Sequence, residues 1–170
     1  MKKIIIALFV LITLMLLTTE HKEEYLKIPD DSIRFRIIAN SNSVQDQALK
    51  MNIKDNLINE LSTIENNSND LNSSRKAIKD NIPLIKEKLN TYNIPYSINY
   101  GNNYFPEKEY YNVKYNAGNY ESLVITLGNG IGDNWWCVLF PPLCLIEAQD
   151  NNTNNINYEF YFKQILAKYN

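Results

Sequence analysis

IRFRIIANSNSVQDQALKMNIKDNLINEL, residues 33–61, changes its hydrophobic period in the middle. Ile33-Arg34-Phe35-Arg36-Ile37-Ile38 alternates apolar and basic residues and then turns continuously apolar, the pattern of a strand that enters the core at its end. After Asn40-Ser41-Asn42-Ser43 the period becomes four: Leu49, Ile53, Leu57 and Leu61 recur on one helical face. Ser43, with Asp46 three residues on, has the form of a capping box and marks the helix start. A strand handing over to a capped helix within thirty residues sets the fold class, and the rest of the chain decides its kind.

Downstream, Leu71, Ile78, Ile82, Ile85 and Leu89 keep helical spacing, and Pro83 among them predicts a kink or a split into two shorter helices. From Ile94 the period is two. Tyr96, Ile98 and Tyr100, then Tyr111, Val113 and Tyr115, then Leu123, Ile125 and Leu127 read as strands. A turn is expected at Asn116-Ala117-Gly118-Asn119 and a flexible loop at Gly128–Asp133. Trp135–Phe140 reads as a buried strand stopped by Pro141-Pro142, and Tyr158–Tyr169 as a short terminal helix. One early strand, two helical stretches and a run of strands predict an α+β fold: a single domain with an antiparallel or mixed sheet and two or three helices on one face.

The chain opens MKKIIIALFVLITLMLLTTE. Lys2 and Lys3 precede an apolar run from Ile4 to Leu17 that falls short of the roughly 20 residues that span a bilayer, the layout of an export signal. The small-residue cleavage pattern is weak at Leu17-Thr18-Thr19, so residues 1–19 read as a signal peptide or a signal anchor. The positive-inside rule sends the chain beyond Glu20 across the membrane. Residues 20–32 then form a charged spacer, and residues 33–170 the exported domain. Membrane contact is expected only through residues 4–17. Loss of Lys2 and Lys3 takes the net charge from −2 to −4, and no basic stripe offers itself to nucleic acid. The asparagine-rich tracts ENNSNDLNSS and QDNNTNNIN read as solvated loops.

Catalytic patterns are sparse. The one histidine, His21, lies in the spacer, so no Cys-His or Ser-His pair and no zinc pattern can be built on the domain without it. Gly128-Asn129-Gly130-Ile131-Gly132 lacks the Lys-Ser/Thr ending of a phosphate loop. The pairs Glu107/Glu109 and Asp30/Asp31 read as solvated surface. No catalytic residue, metal or cofactor is expected. What stands out is NWWCVLFPPLC, residues 134–144, which holds both tryptophans and both cysteines of the 170-residue chain. Outside the cytoplasm Cys137 and Cys144 suit a disulfide, with the two prolines turning the chain between them; the other reading is two reduced cysteines packed as small hydrophobes. On a strand Trp135 and Trp136 must face opposite ways. Either one anchors the core while the other reaches the surface as a binding hot spot, or both are structural, one on the helices and one under the terminal helix.

Residues 33–61, FPEKEY at 105–110 and NAGNYESLVITLGNGIGDNWWCVLFPPLC at 116–144 resemble the stage II sporulation protein R family of endospore-forming bacteria. Two blocks carry the resemblance: a strand ending in I-A-N-S before an S-x-x-D-Q helix start, and G-x-G-x-N-W-W-C-V-L-F-P-P-L-C. Asn42, Asn116 and Ser122 depart from the residues usual in the family, and these departures touch turn chemistry only. The resemblance implies a protein made in the forespore and exported across its membrane into the intermembrane space, secreted or membrane-anchored. There it would activate a membrane-embedded aspartic protease of the mother cell, which processes pro-sigma factor E. The partner interface is expected among Trp135, Trp136, Phe140, Pro141, Pro142, Asn40, Asp46 and Gln47. The strand-to-helix corner from Asn40 to Gln47 is expected to be mainly architectural, with Asp46 and Gln47 as its candidates for facing the partner. The competing readings are a secreted wall-glycan-binding module, through sugar stacking on exposed Trp and Tyr, and a cysteine-dependent wall hydrolase.

Overall fold

Ile33, Phe35 and Ile37 are wholly buried on one face of the strand Ile33–Ile38, and Arg34 is wholly buried on the other. The computed structural model describes residues 31–110 and 113–144, together with Lys2, Ile4, Leu26, Lys27, Pro29, Gln164, Ile165, Ala167 and Lys168. The described elements in chain order are β1 (Leu26–Lys27), β2 (Ile33–Ile38), α1 (Val44–Asn56), α2 (Ile58–Asn66), α3 (Leu71–Asn90), β3 (Tyr96–Phe105), β4 (Lys108–Tyr110), β5 (Val113–Tyr115), β6 (Gly118–Leu127) and β7 (Asn134–Phe140).

The main sheet is mixed, in the order β3-β6-β2-β7. β2 runs parallel to β6 and antiparallel to β7, and β3 pairs antiparallel with β6 along its full length. The parallel β2–β6 pair needs a long crossover, and the chain between them holds α1, α2, α3, β3, β4 and β5. A smaller sheet, β1-β5-β4, includes a strand at Leu26–Lys27, within the segment read from sequence as a spacer. The expected α+β class, with a mixed sheet and helices on one face, is the class observed.

Period-two alternation sorts the side chains onto two faces. The helix-side core takes Phe35 and Ile37 from β2, Leu123 and Ile125 from β6, and Cys137 and Leu139 from β7, packed against Ile53, Leu57, Ile64, Ile78, Ile85 and Leu89 of the helical segment. The opposite face is covered as well: Phe105, Tyr120, Trp136 and Val138 form a second cluster with Tyr115 of β5 and Leu143, and Ile165 packs against it. That second layer explains a departure from the sequence reading of β2. Arg34 does not face solvent at the edge of the core; its guanidinium lies 3.3 Å from the Tyr120 ring centroid and within 6 Å of Phe105, Tyr115 and Trp136.

Two helix expectations are refined. Leu49 to Leu61 does not lie on one helix, because the chain breaks at Leu57 (φ −89°, ψ −1°), where α1 ends and α2 begins, and buried Leu57 serves both. α3 runs unbroken through Pro83 for 20 residues. Pro83 is exposed, while Ile78, Ile82, Ile85 and Leu89 keep the opposite face in the core, so packing holds the helix where the proline removes a backbone bond. α3 begins with a reciprocal capping box between Asp70 and Ser73. The expected turn at residues 116–119 narrows to Asn116-Ala117, since Gly118 already pairs with Phe105. The apolar run at residues 4–17, expected to direct export, and the helix expected at residues 158–169 lie outside the described residues, except that Ile4, Gln164, Ile165, Ala167 and Lys168 are helical. Among the described residues no helix is long and apolar enough to cross a membrane.

Candidate functional site

β2 and β6 are parallel, so their C-terminal ends meet at one end of the sheet, and the loops that extend from them meet there too. The loop after β2 enters α1 with Ser43 as its cap: the Ser43 hydroxyl accepts from the Asp46 backbone N–H at 3.1 Å. The expected box is half formed. The Asp46 carboxylate turns instead to the strand end, where Oδ2 accepts from the Ser41 hydroxyl at 2.5 Å and the Asn40 amide at 2.9 Å. The Ser41 hydroxyl, followed by the Asn40 amide, holds the Asp46 carboxyl below the usual carboxylate range.

Residues 128–133 complete this corner. Asn40 Oδ1 accepts from the Asn129 N–H at 2.9 Å, and Asn42 Oδ1 from the Asp133 N–H at 2.6 Å. Backbone bonds run from Ile131 N–H to Asn40 O and from Gly132 N–H to Ala39 O. Gln47 donates to Ser41 O at 3.0 Å, and the Lys50 ammonium donates to Gln47 Oε1 at 2.7 Å and to Asp133 O at 3.1 Å. Burial lowers the Lys50 pKa, and Asp133 draws it part of the way back. Two glycines permit the approach. Gly128 has φ +54°, and a Cβ there would stand 2.3 Å from Asn40 Oδ1; a Cβ on Gly132 would stand 2.3 Å from Ser41 O. The loop read as flexible is thus tied down along its length.

The corner displays apolar surface around this polar frame. Val44 is 81% exposed and Ile131 75% exposed, large aliphatic side chains carried on the two joined loops. At the same corner opens a pocket of about 330 Å³ bordered by Asn40, Asp46 and Asn129 and lined by Leu49, Ile94 and Leu127.

The tryptophan segment is placed differently. Trp135 and Trp136 do face opposite ways, and neither lies free at the surface. Trp135 is half-buried against Phe35 (ring centroids 6.0 Å apart), with the Lys54 ammonium 5.7 Å from its ring. Trp136, 8% exposed, packs at 5.2 Å from Phe105 and 5.0 Å from Tyr115. Phe140 and Pro141 are buried across a cis peptide bond, and Pro142 is half-buried. Cys137 and Cys144 are joined in a disulfide with Cα atoms 4.9 Å apart, both wholly inside the helix-side core. The Cys144 N–H donates to buried Glu65 at 2.6 Å, and the Leu143 N–H to Val138 O, so the segment folds back on its own strand without a second strand among the described residues. The sequence-derived interface residues therefore divide. Asn40, Asp46 and Gln47 gather at the corner, while Phe140, Pro141 and Pro142 sit at the far end of β7, about 20 Å away at the rise of an extended strand.

The chain matches the family model described as stage II sporulation protein R over residues 29–150. It is 40% identical to stage II sporulation protein R of Bacillus subtilis over 157 aligned residues, which cover 83% of this chain and 70% of that protein. The chain belongs to the stage II sporulation protein R family. No solved structure matches it. The name of the family places the protein in sporulation and specifies no reaction. The family match spans both loops of the corner and the disulfide, so the hydrogen-bonded junction lies wholly within the shared region.

Sequence reasoning missed Val44, Lys50, Asn129, Ile131 and Asp133 at this site. Their signal was the repeated Asn and Gly of the two resemblance blocks, but nothing in a linear reading says that residues about 90 positions apart bond to each other. The buried Arg34 was missed for a similar reason, since its aromatic surroundings come from β3, β5, β6 and β7.

Proposed function

We propose that this chain is an exported signal of sporulation that acts by binding, and that its target is a membrane-embedded aspartic protease of the mother cell whose activation leads to processing of pro-sigma factor E. The signal would cross the forespore membrane and act in the intermembrane space. Activation results if the chain binds the active, assembled protease dimer more tightly than the inactive form, since a ligand shifts an equilibrium only by its differential affinity. The observation that carries this reading is the corner: the two sequence blocks that mark the family converge there through side-chain and backbone hydrogen bonds and hold Val44 and Ile131 out to solvent. A rigid frame presenting exposed aliphatic side chains suits recognition of a protein surface.

The rival readings lose their footing in the tryptophan segment. Sugar stacking on the tryptophans needs open ring faces, and Trp136 is buried in the second cluster while Trp135 is half-buried against Phe35, which leaves Tyr104 as the exposed large aromatic among the described residues. A cysteine nucleophile needs a free thiol, and Cys137 is bonded to Cys144.

Two experiments test the proposal. Capture of the protease by the tagged full chain, together with alanine substitution of Val44 and Ile131, should show binding that falls at least tenfold with unchanged melting temperature; failure of the wild-type chain to capture the protease refutes the reading. Deletion of residues 2–19 should abolish sigma-factor processing, and normal processing by the cytoplasmic form would refute the intercellular part.

A further inference from the structure

We infer that the pocket at the corner is a socket for one basic side chain, arginine or lysine, of the protein partner. The aliphatic stem would lie on Leu49, Ile94 and Leu127, and the charged head against Asp46. The inference rests on the binding function proposed above and specifies what the partner brings.

The chemistry of the lining selects this occupant. The floor is aliphatic, with Pro95 and Leu127 adding to Leu49 and Ile94. Asp46 is the only ionisable group among the described lining residues. The Asn40 and Ser41 bonds to its carboxylate both fall on Oδ2, and the Ser43 hydroxyl adds a weaker one, so the ionised group keeps acceptor capacity to spare. The Asn40 amide is neutral, with one N–H of its NH₂ donating to Asp46 and its oxygen accepting from Asn129, so it brings no charge to offset that of Asp46. A ligand matched to the pocket is therefore a cationic donor with an apolar stem. Lysine and arginine combine these, burying their methylenes while keeping the charged head at a polar rim. An anionic ligand would meet the Asp46 charge, and a short neutral donor would leave the aliphatic floor uncovered. A hydrogen bond to a carboxylate is about twice as strong as a neutral one.

The neighbourhood selects a protein over a free metabolite. Val44 and Ile131 do not border the pocket, but they are exposed on the same two joined segments that carry Asp46 and Asn129, so a partner reaching the pocket meets aliphatic surface at this corner. A partner that inserts a basic anchor would cover them, in the usual arrangement of a central pocketed anchor with apolar contacts around it.

The test has two arms on the full-length chain. In the first, amide NMR monitors titration with butylguanidinium, a cation on a four-carbon stem, against butylurea, its uncharged isostere. Saturable shifts at Asn40, Leu49, Leu127 and Asn129 should appear with butylguanidinium and be at least tenfold weaker with butylurea and with Asp46→Asn. Equal responses to the two probes, or no loss in Asp46→Asn, would overturn the proposal. In the second arm, protease capture is measured for wild type, Asp46→Lys and Asn129→Trp. The Asn129 side chain is exposed and its bond to Asn40 uses only the backbone, so Asn129→Trp should block the pocket mouth with the melting temperature unchanged. Capture should fall at least tenfold in both variants, and an acidic replacement at one basic residue of the protease should restore it for Asp46→Lys. Wild-type capture by a folded Asn129→Trp, or recovery of a second copy of the chain in place of the protease, would overturn the proposal. Probe binding without protease capture would keep the socket and refute the proposed function; capture without discrimination between the probes would do the reverse.

Discussion

Gly132 shows how a single side-chain atom decides the corner. A Cβ there would meet the Ser41 carbonyl oxygen at 2.3 Å, and the obstacle is backbone, which cannot swing aside. Gly132→Ala should therefore push the two loops apart and cost about 1–3 kcal/mol in urea denaturation, the usual penalty of overpacking. Ser43 contributes on a smaller scale. Its hydroxyl satisfies one of the helix's free N–H groups, and Ser43→Ala should cost about 1 kcal/mol by the same measurement. The two positions differ in legibility. Ser43 is recognisable from local spacing, because a cap is an interaction between residues three apart. Gly132 reads as a loop glycine in sequence, and its real constraint comes from the carbonyl of Ser41, on the far side of the helical segment.

Helix α3 carries two predictions. Pro83 lacks the N–H that would bond to the Lys79 carbonyl, and its ring is exposed, so alanine fits without disturbing the core. Pro83→Ala should raise stability by about 1–3 kcal/mol, read from the denaturation midpoint at unchanged slope. α3 also meets β6 through an ion pair in which the Arg75 guanidinium donates to both Glu121 oxygens at 2.8–3.0 Å, while the Tyr100 hydroxyl donates to Glu121 at 2.6 Å. The Arg75 hydrogen bonds lead in holding the Glu121 pKa below its ordinary value, and desolvation opposes them. A depressed carboxylate pKa contributes stability that is fully present above the unfolded value of about 4.3 and is lost as pH falls through the lower folded value. Glu121→Gln should thus lose stability at neutral pH and show a flatter decline below about pH 4 than wild type in thermal melts. The sequence located α3 and β6 from their periods, although α3 runs unsplit through Pro83 and β6 begins at Gly118, inside the expected turn. It was silent on this pair, because Arg75 and Glu121 are 46 residues apart.

For the molecule as a whole, the disulfide is a local clasp within a core that other residues also build. It closes a short loop, and the chain-entropy estimate gives about 2.5 kcal/mol for one of this length. A double Cys137→Ser, Cys144→Ser variant should lose about that much stability and remain cooperatively folded, since the helix-side core still holds Phe35, Ile53, Ile64, Ile78 and Ile125. Mass spectrometry of the wild-type chain without reductant should show no free thiol. The sequence by itself determined the class and most of the elements: β2, the capped start of α1, the apolar helical faces and the later strands are set by local period and turn chemistry, which act within a few residues, while β1 and the break at Leu57 escaped it. It also carried the family through its two blocks. Only the tertiary structure decided what those elements surround. The mixed sheet order, the second aromatic layer that buries Arg34 and Trp136, and the junction of Asn40 with Asn129 all depend on contacts between residues far apart in the chain. Periodicity tells which face of an element is apolar, but not which neighbour will cover it, and here both faces of the sheet are covered.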